Sequence, residues 1–203
     1  MIKKLSGLGL IALFFGVIGT ANATPVAFGD NYYEFVEVTN PYEGTNNSWE
    51  TANIAASELT YHGVNGHLAT VTSAEENSFL LDLVAGDYAG TAGAWLGGKA
   101  PEGWLAGPEG GDSLSYTNWG GIEPNNSGYI YMLIGDSSHT GIAPGKWADG
   151  SGYATAHADP VIGYFVEYEN AVNLPAPAAG VLIGIGLVSL MIQRREKKEQ
   201  GVA

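Results

Sequence analysis

Apolar and polar residues alternate through YYEFVEV, residues 32–38, a run rich in β-forming side chains that predicts a first strand. After a turn-rich stretch, residues 40–47, the period changes. In NSWETANIAASELTYHG, Ala52, Ala55, Ala56 and Leu59 fall at i, i+3, i+4 and i+7, the stripe of an amphipathic helix. Asn47 with Glu50 three residues on predicts a capping box at its start, and Gly63 its end. Residues 67–71, HLATV, read as a short strand. Ser73 and Glu76 form a second capping-box pattern, and Phe79, Leu80, Leu83 and Val84 supply the apolar face of a second helix ending near Gly86.

Beyond Gly86 the helical period disappears. Short β-type runs follow at residues 94–98, 103–106, 129–134, around GKWADG at 145–150, and at 163–169. A polar, glycine-rich segment, residues 107–128, separates two of them, and a loop of that length in a compact domain is commonly a functional one. Strands at both ends, two helices early and a long late loop make an α+β domain. There is no internal repeat.

The two ends of the chain do not follow this pattern. Lys3 and Lys4, an apolar run over residues 8–18 and the small-x-small triplet Ala21-Asn22-Ala23 predict a signal peptide over residues 1–23. Residues 171–177 read as a linker containing Pro175 and Pro177. Residues 178–192 are an apolar stretch of 15 residues, and Arg194, Arg195, Lys197 and Lys198 follow. A short membrane helix with a cytoplasmic basic tail is the expectation for residues 178–203. The order Pro-containing motif, apolar helix, basic end resembles the PEP-CTERM sorting signals of Gram-negative bacteria, although Ala176 stands where the name-giving Glu would be. That resemblance implies export, a membrane tether, an exosortase-type processing enzyme as partner, and a final place at the cell surface or in an extracellular matrix.

Charge narrows the partners. Between Thr24 and Gln193 only Lys99 and Lys146 are basic, against 19 acidic residues, a net charge of −17. Such a domain repels phosphate backbones, so nucleic acid is excluded as a partner, and it attracts cations. Cysteine is absent, which removes disulfides, thiol catalysis and thiolate-bound zinc. His62, His67, His139 and His157 show no metal-site spacing, and neither a GxSxG nor a P-loop motif occurs. No enzyme is expected.

Within residues 24–170, Trp49-x-x-Ala52, LATVTSAEENSFL at 68–80, WLGG at 95–98, NWGGIEPNN at 118–126, KWAD at 146–149 and YFVEY at 164–168 follow one another in the order of a C-type lectin-like domain, which the chain resembles over nearly this whole stretch. The resemblance implies an α+β fold of two helices and small antiparallel sheets with a long loop region, here without disulfides, since Val166 and Tyr131 stand where two of the family's cysteines would be. In sugar-binding members the Glu-Pro-Asn loop, commonly with a cis Pro, and a Trp-Asn-Asp strand hold one Ca²⁺, and the same side chains bind two sugar hydroxyls. Carried over, this makes Glu123, Asn125 and Asp149 the expected sugar and calcium ligands, with mannose- or glucose-type hydroxyls the family's association. Two positions depart from the pattern. Ala148 replaces the Asn ligand, and Tyr129 stands where a further Glu would be. Asn126, Ser127 and Asp136 are the oxygen-bearing residues that could substitute. Trp49, Trp95, Trp119 and Trp147 read as core. For Trp104 two readings stand, core or an exposed ring stacking on a sugar. The chain thus reads as an exported carbohydrate-binding protein, binding glycan or exopolysaccharide with calcium as cofactor, or else as a metal-free adhesive module that binds protein.

Overall fold

The computed structural model describes residues 24–38, 47–84, 88, 92–125, 128–135, 142–152 and 160–171. The expected signal peptide, membrane helix and basic tail lie outside the described residues. Among those described, no helix is long and apolar enough to cross a membrane.

The chain forms β1 (Val26–Phe28), β2 (Asn31–Glu37), α1 (Trp49–Glu58), β3 (Thr60–Tyr61), β4 (Val64–Asn65), β5 (His67–Leu68), α2 (Ala74–Leu83), β6 (Gly93–Lys99), β7 (Gly103–Trp104), β8 (Tyr129–Leu133), β9 (Trp147–Gly150) and β10 (Val161–Tyr168). The main sheet runs β1-β2-β10-β6-β8-β9, with β5 on β10 and β7 on β6. It is mixed rather than a set of small antiparallel sheets: β10 pairs antiparallel with β2 and parallel with β6. The last strand of the chain therefore sits in the middle of the sheet, beside one of the first.

Both faces of that sheet are buried, which explains why β6 is buried from Gly93 to Gly98. The period-2 alternation sorts its side chains. Ala94 and Leu96 of β6, Ile130 and Met132 of β8 and Phe165 of β10 join Leu80 and Val84 from α2 and its end in one core cluster. Trp95, Tyr164, Val166 and Tyr168 point the other way and join Ala52 and Ala56 of α1 in a second. Trp104 is 1% exposed and lies edge-on to Trp147 with ring centroids 5.9 Å apart, so it is a core residue and not a ring for stacking on sugar.

The first helix corrects its expected caps. Ser48, not Asn47, is the N-cap, and its hydroxyl accepts from the Thr51 N–H. Asn47 instead donates its amide to the Val161 carbonyl and passes its own carbonyl to the Trp95 indole. The helix stops at Glu58, before Gly63, because β3 and β4 form a two-residue hairpin with His62 at φ 50 and Gly63 at φ 82. Positive φ at both central residues is the type I′ signature, which a helix cannot share. At α2 the Ser73 cap is as expected, accepting from the Glu76 N–H. The Glu76 carboxylate does not close the reciprocal box, however. It accepts from the N–H and hydroxyl of Thr72 and meets Tyr33 from β2.

Candidate functional site

The Glu-Pro-Asn loop is built out from β9. The Trp147 indole N–H donates to Asn77 Oδ1 of α2 at 2.7 Å, and Asn77 Nδ2 donates to the Gly145 carbonyl at 3.0 Å, so α2 fixes where β9 begins. Residues 118–120 are tied to β9 through Trp147 N–H to Asn118 O and Gly120 N–H to Trp147 O. Asn118 is held further by Lys146 Nζ, which donates to its Oδ1 at 2.7 Å. Gly120 is required by contact, since a Cβ there would lie 2.1 Å from Ile142 Cγ2. The loop turns at once, with Glu123 N–H on Gly120 O, and the Glu123–Pro124 bond is cis.

This framework brings the three expected residues together. The Asn125 backbone N–H donates to Asp149 Oδ1 at 2.9 Å and to Glu123 Oε2 at 3.1 Å, and Asn125 Nδ2 donates to Glu123 Oε1 at 2.7 Å. Asp149, 5% exposed, comes up from β9, where it pairs with Ile130 of β8. Burial pushes the Glu123 carboxyl above the usual carboxylate range. Its hydrogen bond with Asp149 and that residue's charge act the same way, against the pull of the Asn125 N–H. Two carboxyls thus share the Asn125 N–H at one point, where a cation would offset their like charges.

The two departures from the family pattern also have a physical form. Ala148 is 1% exposed within β9 and offers no side-chain oxygen. The Tyr129 ring stacks on Trp49 with centroids 4.5 Å apart at 18°, and Lys99 Nζ sits 5.6 Å from its centroid. It packs α1 against β8. The donor set of Glu123, Asn125 and Asp149 is two carboxyls and one amide, hard oxygens suited to Ca²⁺, but fewer than its usual six to eight ligands. Asn126, Ser127 and Asp136 lie outside the described residues. Ile122, next to Glu123, is 84% exposed and caps the loop with an apolar side chain.

A second cluster of acids lies inside the fold, and no local motif announced it. Tyr33 Oη is 2.7 Å from Glu76 Oε1 and 2.6 Å from Glu167 Oε1. Burial pushes Glu167 up to about 8, with the charges of Glu76 and Glu169 adding to it against the opposing pull of Tyr33 and Thr70, which favours its protonated form. The Tyr33 hydroxyl donates toward both carboxyls. Glu167 also accepts from Asn31 Nδ2 at 2.8 Å and from the Thr70 N–H at 3.1 Å. The signal in the sequence was a Glu inside the last apolar strand, a place where a charge is rarely left unpaired.

No family model matches the chain. Over 88 residues, 42% of its length, it is 34% identical to an alpha-N-acetylgalactosamine-specific lectin of Patiria pectinifera, and this match spans about half, 51%, of that relative. Among solved structures, the Ca²⁺-independent C-type lectin SPL-2 from Saxidomus purpuratus superposes with a TM-score of 0.52 at 19% identity, over 70% of this chain and 89% of that one. The SPL-1–GlcNAc complex gives 0.51 at 21% identity, over 70% and 90%. The EPNH mutant of CEL-I gives 0.50 at 24% identity, over 74% and 97%. The fold is C-type lectin-like. In this lectin-like domain the packing of two aromatic clusters does without disulfides, as no cysteine is present.

Proposed function

We propose that the protein is a non-enzymatic carbohydrate-binding module whose recognition edge is Glu123, Asn125 and Asp149, with calcium as an assisting ion. The observation that carries this is the convergence of the three side chains on one point at the rim of the long loop, with Glu123 and Asp149 coupled through Asn125. It is supported by the lectin-like fold and by the sugar specificity in the name of the Patiria pectinifera relative. The ion would be held by the two carboxylates and the Asn125 amide oxygen, and it would supply a Lewis-acidic point on which vicinal sugar hydroxyls can sit. Water and the sugar hydroxyls would fill the remaining positions, so binding should be weak without sugar. The chain's own residues accept the hydroxyl protons and orient the ring.

The signal-peptide pattern of residues 1–23 and the sorting-signal pattern of residues 171–203 support a reading in which the module is exported across the inner membrane, tethered by residues 178–203 and cut near the 171–177 linker by an exosortase-type enzyme. Glycan or exopolysaccharide of the surface or matrix is then the partner within reach. The test is retention of the purified protein on a panel of immobilised glycans with Ca²⁺ and with EDTA. Retention that is lost on Glu123→Ala is the expected result, and retention unchanged by that substitution overturns the site.

A second reading is favoured by Ile122, Ala148 and Tyr129. An exposed apolar tip and a shortened ligand set suit a metal-free contact with protein. A blank glycan panel together with a reproducible protein partner that is lost on Ile122→Ser would establish it.

A further inference from the structure

The β5–β10 pairing sets Glu167 directly opposite His67. Cross-strand partners share a face of the sheet, and so do residues two apart on one strand, which brings Glu169 to the same side as Glu167. His67, Glu167 and Glu169 can accordingly each offer one ligand atom, all lying within 4.8 Å of one another. This cluster is separate from the Glu123 edge and is made by residues a hundred positions apart in the chain.

The imidazole is oriented for a ligand. Its Nδ1 is 3.0 Å from the Leu68 carbonyl, which fixes the donor proton on Nδ1 and leaves Nε2 with its lone pair outward from that bond. Nε2 is buried and has no hydrogen-bond partner. It faces Glu169 Oε1 at 3.7 Å, too far for a hydrogen bond. Two ligands each about 2.0–2.2 Å from a shared ion stand roughly 3–4 Å apart, so this gap suits a bridging metal. The ring is also immobilised from the other side: a Cβ on Gly107, at φ 66, would lie 2.5 Å from His67 Cε1, so the long loop's backbone lies flat against it. A histidine whose second nitrogen is held by a carbonyl is the usual way a metal-binding imidazole is aimed. Glu167 and Glu169, though not His67, also line a cleft of about 340 Å³ shared with Thr70, Glu76 and Glu109.

We propose that His67 Nε2, Glu167 and Glu169 form a binding site for a divalent transition metal such as Zn²⁺. The imidazole sets the class of ion, since a nitrogen ligand favours zinc and its neighbours over hard calcium. The site joins β5, β10 and, through Gly107, the base of the long loop, in a domain that has no disulfide to tie them.

The experiment uses the untagged full chain, stripped with EDTA and titrated with ZnCl₂ by calorimetry, with melting curves alongside. One saturable zinc and a midpoint raised by several degrees are expected. His67→Gln and Glu169→Gln should each weaken zinc by more than about tenfold, while Glu58→Gln, an exposed acid on α1, leaves it unchanged. Glu169 is partly exposed, so its variant keeps the test decisive where His67→Gln fails to fold. The proposal is overturned by zinc affinity equal in wild type and both variants, by no saturable binding below millimolar zinc, or by protection from Ca²⁺ that Zn²⁺ does not give.

Discussion

Two groups of carboxyls in this molecule meet the same electrostatic problem in different ways. At the rim, Glu123 and Asp149 are crowded with little protein to separate them, and one amide group bridges the pair. In the interior, Glu76 and Glu167 are crowded about Tyr33, whose hydroxyl lies within hydrogen-bond distance of each. Burial favours the protonated form of Glu167, and Asn31, Thr70 and Thr72 donate to the pair from within the fold. The rim pair stands beside an exposed loop tip, where Ile122 and Asn125 face solvent. A buried acid network met from within serves to hold the fold, whereas one beside an accessible edge is placed to meet a ligand.

The comparison is tested most strongly by pH. Glu167 sits near 8 in the folded chain and near 4.5 unfolded, so the folded state binds the extra proton between these values. Stability should therefore fall as pH rises from about 4.5 to 8, by of order 4 kcal/mol. Urea unfolding in EDTA across that range measures it, and Glu167→Gln should remove most of the slope. A slope that survives that substitution would mean Glu167 is not the protonated member.

Next in size is Tyr33→Phe. It strips the hydroxyl between two buried carboxyls and should cost about 2–3 kcal/mol in chemical unfolding at pH 7. A loss under about 0.5 kcal/mol would show that the interior network is not closed through Tyr33.

The smallest effect on stability belongs to the rim. Glu123→Ala should change the unfolding free energy by less than about 0.5 kcal/mol, because the loop is exposed and already anchored through Trp147. The same variant should lose glycan retention and the Ca²⁺-dependent rise in melting midpoint. A variant equally stable and equally retained would erase the distinction between the two groups.

Much of the frame was legible in the sequence because it is local. The alternation in residues 32–38, the Ser73 cap and the stripe of α2 each depend on neighbours within a turn or a strand, and the structure has them. The Glu-Pro-Asn loop and Asp149 were legible through resemblance, and they do converge. Three features were not. The I′ turn at His62–Gly63 was read as helix, since the apolar stripe continues past Glu58 and only backbone dihedrals mark the stop. Trp104 stands in a short run just before the polar, glycine-rich stretch, and its burial comes from β7 folding back on β6 and onto Trp147. The capping-box reading of Glu76 was half right, because Tyr33, 43 residues away, competes for its carboxylate.

What the sequence determined by itself is the α+β class, the two helices and most of the strands, all but β1, β3 and β4. These follow from periodicity, caps and short motifs, all short-range in the chain. Tertiary structure alone decided that the last strand lies mid-sheet between β2 and β6, that Tyr33 is wedged between Glu76 and Glu167, and that His67 faces Glu167 across a strand pair. Strand register is a choice among distant partners made by burying both faces of the sheet at once, and no window of neighbouring residues contains that information.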